Sequence, residues 1–166
     1  LGLYVVQCTN GSYKTELDEI AAGPFDTVMN YAMNGCGSDA SAEQINTYLN
    51  ELRLRDLNAI FSLQEYFSGC LAAYQVCDDP DILETTRDTV AQKVALHKSH
   101  ESVLAWYMYD EVCPDCMEQL EEGYNLIKDL DNEHPIWSVH WNTNWLLRET
   151  HVTDIVGVDP YPIDNN

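Results

Sequence analysis

The stretch Val103–Val112, which reads V-L-A-W-Y-M-Y-D-E-V, decides how the rest of the chain folds. Its first seven residues are rich in Val, Leu, Trp and Tyr, a composition typical of a buried β-strand. The run stops on two adjacent carboxylates, Asp110 and Glu111, and a helical start follows in Cys113–Cys116. The two acids therefore lie where a strand gives way to a βα loop, the end at which α/β proteins usually carry their chemistry. Since side chains alternate along a strand, one acid is expected to face the cleft and the other the helix layer, and the sequence does not say which.

Five more apolar, β-branched or aromatic segments predict strands on either side of this one. They are Leu3–Cys8, Phe25–Tyr31, Asn58–Leu63, Ile136–Trp141 and Asp154–Tyr161. Amphipathic helical patterns separate them, and alternating strands and helices indicate a parallel α/β fold. An open doubly wound sheet and a TIM (β/α)8 barrel both fit this order. If the fold is a barrel, which needs eight strands, the 166 residues form a single domain (1–166) that is a partial barrel with about six βα units.

Helix starts are predicted from local sequence. Two segments have the pattern of a capping box, in which the N-cap side chain and a side chain three positions later bond each other's backbone. Thr15–Asp18 predicts the start of a short first helix, and Ser41–Gln44 predicts the start of an amphipathic second helix. A third helix is predicted to begin at Pro80. Its late histidines, His97 and His100, are expected either to pack or to stabilise the helix dipole.

The acidic composition limits the class of partner. The chain carries 28 acidic and 8 basic residues, a formal net charge of −20. Such a charge repels nucleic-acid phosphates and anionic membranes. It fits a neutral, cationic or carbohydrate partner, or simply an acidic surface that keeps the protein in solution. No stretch reaches the roughly 18 apolar residues of a membrane span, so no membrane insertion is predicted. No cofactor is predicted either.

The chain has six cysteines, a high count for a cytosolic protein of this size. An even number at short spacings favours disulfides and an oxidising compartment, so a secreted, extracellular protein is predicted. Proximity in the sequence favours the pairs Cys8–Cys36, Cys70–Cys77 and Cys113–Cys116. Asn10 opens the tripeptide Asn-Gly-Ser, which is a sequon for N-glycosylation in the same compartment.

The spacing of Cys113 and Cys116 leaves two other interpretations open. A C-x-x-C at a helix start resembles the active site of thioredoxin-like proteins, where the helix N-terminus activates a thiol. That fold carries the motif after its first or second strand, however, and here it follows the fourth. A zinc site would need a second pair of ligands, and Cys70 and Cys77 are too far apart to supply it, so no metal is predicted.

Three strand ends carry motifs of a known family. The fourth strand ends W-Y-M-Y-D-E at Trp106–Glu111, the third ends at Ile60–Leu63, and the sixth continues into D-P-Y-P-I at Asp159–Ile163. These motifs resemble the (β/α)8 glycoside hydrolases of the large clan that places an acid/base Glu at the end of strand four. The resemblance implies a TIM barrel, a carbohydrate substrate, and Glu111 as the general acid/base. It also implies a nucleophile after strand seven, outside these 166 residues. That family commonly has Asn before its acid/base, where this sequence has Asp110.

Side chains at and after the strand ends are the expected substrate contacts. Glycoside hydrolysis uses two carboxylates, one of them an acid whose pKa is raised by desolvation. Trp106, Tyr107 and Tyr109 would supply an apolar environment for that acid. Aromatic faces can stack on sugars, and polar side chains can bind sugar hydroxyl groups. The predicted substrate-binding residues are Asp110, His140, Trp141, Trp145, Asp159 and Tyr161.

Each of these features has a structural alternative, because acids can cap a helix and Trp residues can fill a core. A barrel also hosts many functions. The sequence therefore keeps two alternatives to a glycosidase. One is a non-catalytic barrel, a carbohydrate-binding or structural protein that partners an extracellular matrix or filament. The other is a thiol oxidoreductase that uses Cys113 and Cys116.

Overall fold

The computed structural model describes residues 2–5, 13–30, 40–64, 67, 80–110, 117–140 and 150–158. A strand occurs in each of the six segments predicted from the sequence. The bounds are β1 Gly2–Val5, β2 Thr27–Asn30, β3 Asn58–Ser62, β4 Val103–Asp110, β5 Ile136–His140 and β6 Ile155–Val158. They form one six-stranded sheet in the order β1-β2-β3-β4-β5-β6, so each strand neighbours the next strand along the chain.

Helices alternate with the first five of these strands. Their bounds are α1 Tyr13–Ala21, α2 Ala42–Arg53, α3 Pro80–His97 and α4 Met117–Leu130. The pairs β1–β2, β2–β3 and β5–β6 are parallel. β1 and β2 are joined through α1, and β2 and β3 through α2, so the predicted parallel α/β fold is confirmed, as is the start of the third helix at Pro80. Within the described ranges, none of the helices is long and apolar enough to cross a membrane.

The chain divides into two compact units. The first comprises Leu1–Ser62 with Lys93–Trp106, and the second comprises Leu63–Gln92 with Tyr107–Asn166. Both α3 and β4 pass from one unit into the other. A single domain over 1–166 therefore stays a prediction.

In the first unit, side chains around Ser41 show why α2 begins where it does. Ser41 Oγ accepts a hydrogen bond from the N–H of Gln44 at 3.2 Å, and Gln44 Oε1 accepts one from the N–H of Ser41 at 2.8 Å. This reciprocal capping box confirms the prediction from the sequence. The helix then buries one amphipathic face, made of Ile45, Tyr48, Leu49 and Leu52.

The predicted capping box at Thr15 is wrong. α1 begins at Tyr13, so Thr15 lies inside the helix and is not its N-cap. Contacts with α2 account for this earlier start. The Tyr13 ring lies 5.6 Å from that of Tyr48, and Lys14 Nζ lies 2.6 Å from Glu51 Oε1.

Phe61 fixes which face of β3 meets the helices. Its ring stacks on the imidazole of His97, the last residue of α3, with ring centroids 5.3 Å apart. Trp106 of β4 meets the same ring edge-on at 5.1 Å. All three side chains are fully buried. Because side chains alternate along a strand, Ile60 and Ser62 face the other side of the sheet.

In the second unit, Asp154 joins α4 to the start of β5. Its carboxylate accepts hydrogen bonds from Tyr124 Oη at 2.9 Å, Lys128 Nζ at 3.2 Å and the N–H of Ile136 at 2.9 Å. Burial raises the pKa of Asp154, but these three hydrogen bonds and the Lys128 charge outweigh burial and hold the pKa below its ordinary 3.8. The carboxylate therefore stays ionised and ties the helix to the strand that follows it.

Gly157 of β6 leaves room for side chains of the neighbouring strand β5. Gly157 lies opposite Val139 in the parallel register. A Cβ added to Gly157 would lie 2.7 Å from Val139 Cγ2 and 2.8 Å from Trp137 Nε1, so the side chains of β5 occupy the space above it. The other residues of β6 are exposed: Ile155, Val156 and Val158.

Candidate functional site

The candidate site lies in the second unit, where β4 and β5 end. His140 Nε2 and Tyr109 Oη are 3.3 Å apart, within hydrogen-bonding distance. The two rings meet edge-on, with centroids 5.3 Å apart and planes at 69°. Both side chains are buried, and Tyr109 is completely so. A phenol and an imidazole thus meet in a place where water does not separate them.

The strands bring these two side chains together from positions 31 residues apart. Tyr109 is the penultimate residue of β4, and His140 is the last residue of β5. Three residues before each strand's end, Tyr107 and Trp137 also meet edge-on, at 6.0 Å. Matching positions on the two strands therefore lie side by side, which places both carboxyl ends at the same edge of the sheet. In parallel α/β proteins this edge is the one that carries binding and catalysis.

Burial sets the charge of His140. It lowers the pKa of this imidazole below its ordinary 6.5, and the nearby Asp110 carboxylate opposes the shift without cancelling it. His140 is consequently neutral at neutral pH, with one ring nitrogen as donor and the other as acceptor. A neutral imidazole beside a phenol can bind and orient a hydroxyl group, but it does not supply a fixed positive charge.

Two of the predicted site residues fall within the described part of the chain. Asp110 closes β4, is half-buried, and acts electrostatically on His140, so the structure brings these two together. The other predicted site residues lie outside the described residues and stay predictions. They are Glu111, Trp141, Trp145, Asp159 and Tyr161, together with Asn10 and the six cysteines Cys8, Cys36, Cys70, Cys77, Cys113 and Cys116.

Two of the three aromatic residues expected near the acid, Tyr107 and Tyr109, contact β5. Tyr107 meets Trp137, and Tyr109 meets His140. Trp106 instead packs against Phe61 in the first unit. Adjacent residues of a strand point to opposite faces, so Trp106 belongs to the core beneath α3 and not to the site.

Tyr109 is the residue that sequence reasoning undervalued. It was expected only as apolar surroundings, whereas its hydroxyl is the partner of His140. One signal in the sequence pointed to it: Tyr109 and His140 each carry a polar group near the C-terminal end of an otherwise apolar strand. A buried Tyr hydroxyl usually finds a hydrogen-bond partner. Within the described ranges, no three His, Cys, Asp or Glu side chains come together as metal ligands.

Comparisons with known proteins place this geometry in a wider fold. No protein-family profile and no curated protein matches the chain. Among solved structures, the β-galactosidase from the psychrophilic Marinomonas ef1 matches with a TM-score of 0.75 at 10% identity, over 97% of this chain and 40% of that one. The GH5_18 protein from Streptomyces cattleya in complex with GlcNAc matches with a TM-score of 0.64 at 13% identity, over 86% and 45% of the two chains. The GH2 β-galacturonidase from Eisenbergiella tayi bound to galacturonate matches with a TM-score of 0.66 at 14% identity, over 97% and 28%.

Identities this low show the fold alone. The chain shares the fold of (β/α)8 glycoside hydrolases and spans less than half the length of each of these three structures. Together with the alternation of parallel strands and helices, the matches confirm the predicted partial TIM barrel.

Proposed function

We propose that this chain is part of a (β/α)8 glycoside hydrolase, with Glu111 as its general acid/base. The observation that carries the proposal is the buried Tyr109–His140 pair beside Asp110, at the carboxyl ends of β4 and β5. Glycosidase barrels of this fold supply the context.

The position of Glu111 in the sequence suits the proposed role. Glu111 comes directly after Asp110, the last residue of β4, and two residues after Tyr109. An acid near buried aromatic rings is expected to have a raised pKa, as a proton donor to a leaving group requires. A second carboxylate is needed as nucleophile or base, and the family resemblance assigns it to strand seven.

The charge of the protein favours a neutral sugar as substrate. Two of the structures with this fold hold GlcNAc and galacturonate, respectively. With a formal net charge of −20, the chain would repel an anionic uronate and leave a neutral sugar unaffected. Trp141, Trp145 and Tyr161 are the proposed stacking platforms, and Asp110, His140 and Asp159 the proposed partners of sugar hydroxyl groups.

The test is turnover by the whole protein on a panel of neutral and uronic glycosides. Glu111→Gln should lose about 10²–10⁴-fold in kcat on glycosides with poor leaving groups, the usual contribution of a general acid. Dinitrophenolate leaves without being protonated. With dinitrophenyl glycosides, the rate at which the sugar is transferred to the enzyme should therefore fall far less in Glu111→Gln. Asp110→Asn, one residue away, is the matched control and should lose less than Glu111→Gln on the unactivated substrates.

The outcomes separate the candidate functions. Equal activity of wild type and Glu111→Gln would remove Glu111 from the mechanism. Saturable binding of a neutral sugar by calorimetry, with no turnover of any glycoside, would favour the non-catalytic carbohydrate-binding alternative. A dithiol at Cys113 and Cys116 that cycles under mild reductant would favour the oxidoreductase.

We further propose that the protein is secreted, with a glycan on Asn10. The support is the even number of cysteines, six, and the sequon. The proposed bridges are Cys8–Cys36, Cys70–Cys77 and Cys113–Cys116. Mass mapping of a non-reduced digest checks the pairs, and a mass shift on removal of N-glycans checks Asn10. Free thiols at these positions would contradict the proposed disulfide pairs.

A further inference from the structure

The last residue of α3, His97, and two residues of the turn that follows it, His100 and Ser102, bond to α2 within the first unit. His97 Nδ1 lies 3.0 Å from Asn46 Oδ1, and His100 Nε2 lies 3.2 Å from Asn50 Oδ1. Between them, Ser102 Oγ donates to the carbonyl oxygen of Leu49 at 3.3 Å. The three positions on α2 lie on one face, because residues three and four apart are neighbours on a helix. This set of contacts is called the α2 clasp below.

The hydrogen bonds of the clasp require a neutral imidazole at His100, and the burial of Nε2 without a partner among the described residues favours one at His97. An amide oxygen accepts, so His97 Nδ1 must carry the proton that it donates to Asn46. His97 Nε2 is then the unprotonated nitrogen, and it is buried with no hydrogen-bond partner among the residues described. His100 has the opposite tautomer: its Nδ1 accepts from the N–H of Ser102 at 3.2 Å while Nε2 donates to Asn50.

Protonation would disfavour this arrangement at both residues. A proton on His97 Nε2 would put a charged N–H in a fully buried place, against the ring of Phe61. A proton on His100 Nδ1 would turn the acceptor of the Ser102 N–H into a second donor facing it. Both charges are unfavourable while the clasp is closed, so proton uptake favours its opening.

The charged groups around the clasp do not make protonation of the two histidines more favourable. Burial lowers the pKa of His97 from its ordinary 6.5 to about 4, and the charges of Lys93 and His100 lower it further. Burial also lowers the pKa of His100, and Arg53 of α2 adds to it. Arg53 is paired with Glu101, whose carboxylate is exposed, and β3 presents the uncharged ring of Phe61.

We propose that the α2 clasp is an acid-sensitive latch, which loosens α2 from the α3–β4 turn when His97 and His100 take up protons. The sign follows from linkage: each imidazole binds protons more weakly in the closed state than in the open state. The clasp is fully effective above about pH 6.5 and is lost as the pH falls from there toward about 4. With those two values for His97, going from pH 7 to pH 5 raises the opening equilibrium of α2 about 20-fold.

Hydrogen exchange of the whole protein at pH 7 and pH 5 measures this opening, after each rate is divided by the intrinsic rate at that pH. Protection of α2 amides should fall about 20-fold, while amides of α4 in the second unit serve as the internal reference. His97→Gln cannot take up a proton, yet its amide can still donate to Asn46, so it should suppress most of the fall. His151→Gln removes an exposed histidine and should leave the fall unchanged.

NMR titration of the His97 ring in the wild-type protein gives a second, independent measurement, which holds even if a variant fails to fold. The latch requires the Nδ1–H tautomer to persist to below pH 5. A His97 ring that titrates near pH 6.5 would overturn the proposal. So would an equal loss of α2 protection in wild type and His97→Gln.

Discussion

Replacing Gly157 with Ala tests how β6 packs on β5. The added Cβ would lie 2.7 Å from Val139 Cγ2, 2.8 Å from Trp137 Nε1 and 3.2 Å from the carbonyl oxygen of Ser138. Carbon contacts are most favourable near 3.5–4.0 Å, so each neighbour would have to move. Val139 is β-branched and stiff about χ1. The indole of Trp137 is held edge-on against Tyr107, with centroids 6.0 Å apart.

The expected cost follows from two opposing effects. Overpacking of this kind costs about 1–3 kcal/mol. Ala offsets roughly 0.5–1 kcal/mol of it, because Gly loses more backbone freedom on folding. Taking the middle of each range, the free energy of unfolding should fall by about 1 kcal/mol. Gly2→Ala in β1 is the matched control, since the nearest atom to its added Cβ is the carbonyl oxygen of Thr27, 3.9 Å away.

Urea unfolding followed by Trp fluorescence measures both variants. Val139→Ala would remove the methyl group that meets the new Cβ, so it should cost less in the Gly157→Ala background than in wild type. The double-mutant cycle should show a coupling energy of at least about 0.5 kcal/mol. A Gly157→Ala protein as stable as wild type, or costs of the two substitutions that simply add, would refute the packing argument.

Three further variants test other contacts by the same unfolding measurement. Ser41→Ala should lower the free energy of unfolding by about 1 kcal/mol through loss of the N-cap, whereas Thr15→Ala inside α1 should change it by less than about 0.5 kcal/mol; equal effects would contradict the assigned helix starts. Asp154→Ala should cost about 2 kcal/mol at pH 7, and since the folded-state pKa lies below 3.8, the difference from wild type should persist above that pH and shrink as the pH falls below it. Tyr109→Phe keeps the ring and removes the hydroxyl, so it should cost about 1 kcal/mol; unchanged stability would mean that the contact with His140 contributes nothing.

The parts of the fold that depend on nearby residues could be predicted from the sequence. Ser41 and Gln44, three residues apart, form reciprocal hydrogen bonds, so nearby residues are enough to predict the start of α2. The start of α1 was misplaced because Tyr13 and Lys14 join that helix through contacts with Tyr48 and Glu51 of α2. Those partners lie more than 30 residues away in the sequence, where a local pattern gives no information.

In the site, too, features set by nearby residues could be predicted, whereas contacts between distant residues could not. The position of Asp110 at a strand end follows from the composition of β4 and was predicted. The pairing of Tyr109 with His140 depends on how two strands align, which the sequence does not state. His97 shows the same limit: its place late in a helix suits either a dipole-stabilising cation or a packed ring. Its burial, which only the tertiary structure reveals, makes it neutral and decides for packing.

The order of the strands in the sheet has a consequence for biosynthesis. Each strand neighbours the one made just before it, so the sheet can grow at one edge while translation proceeds at roughly 5–20 residues per second. The first unit departs from this sequence of events, because it includes Lys93–Trp106 as well as Leu1–Ser62. A nascent chain that has passed Ser62 therefore still lacks the ring of His97 that stacks on Phe61, and α2 cannot make its contacts with His97, His100 and Ser102 until those residues have left the ribosome.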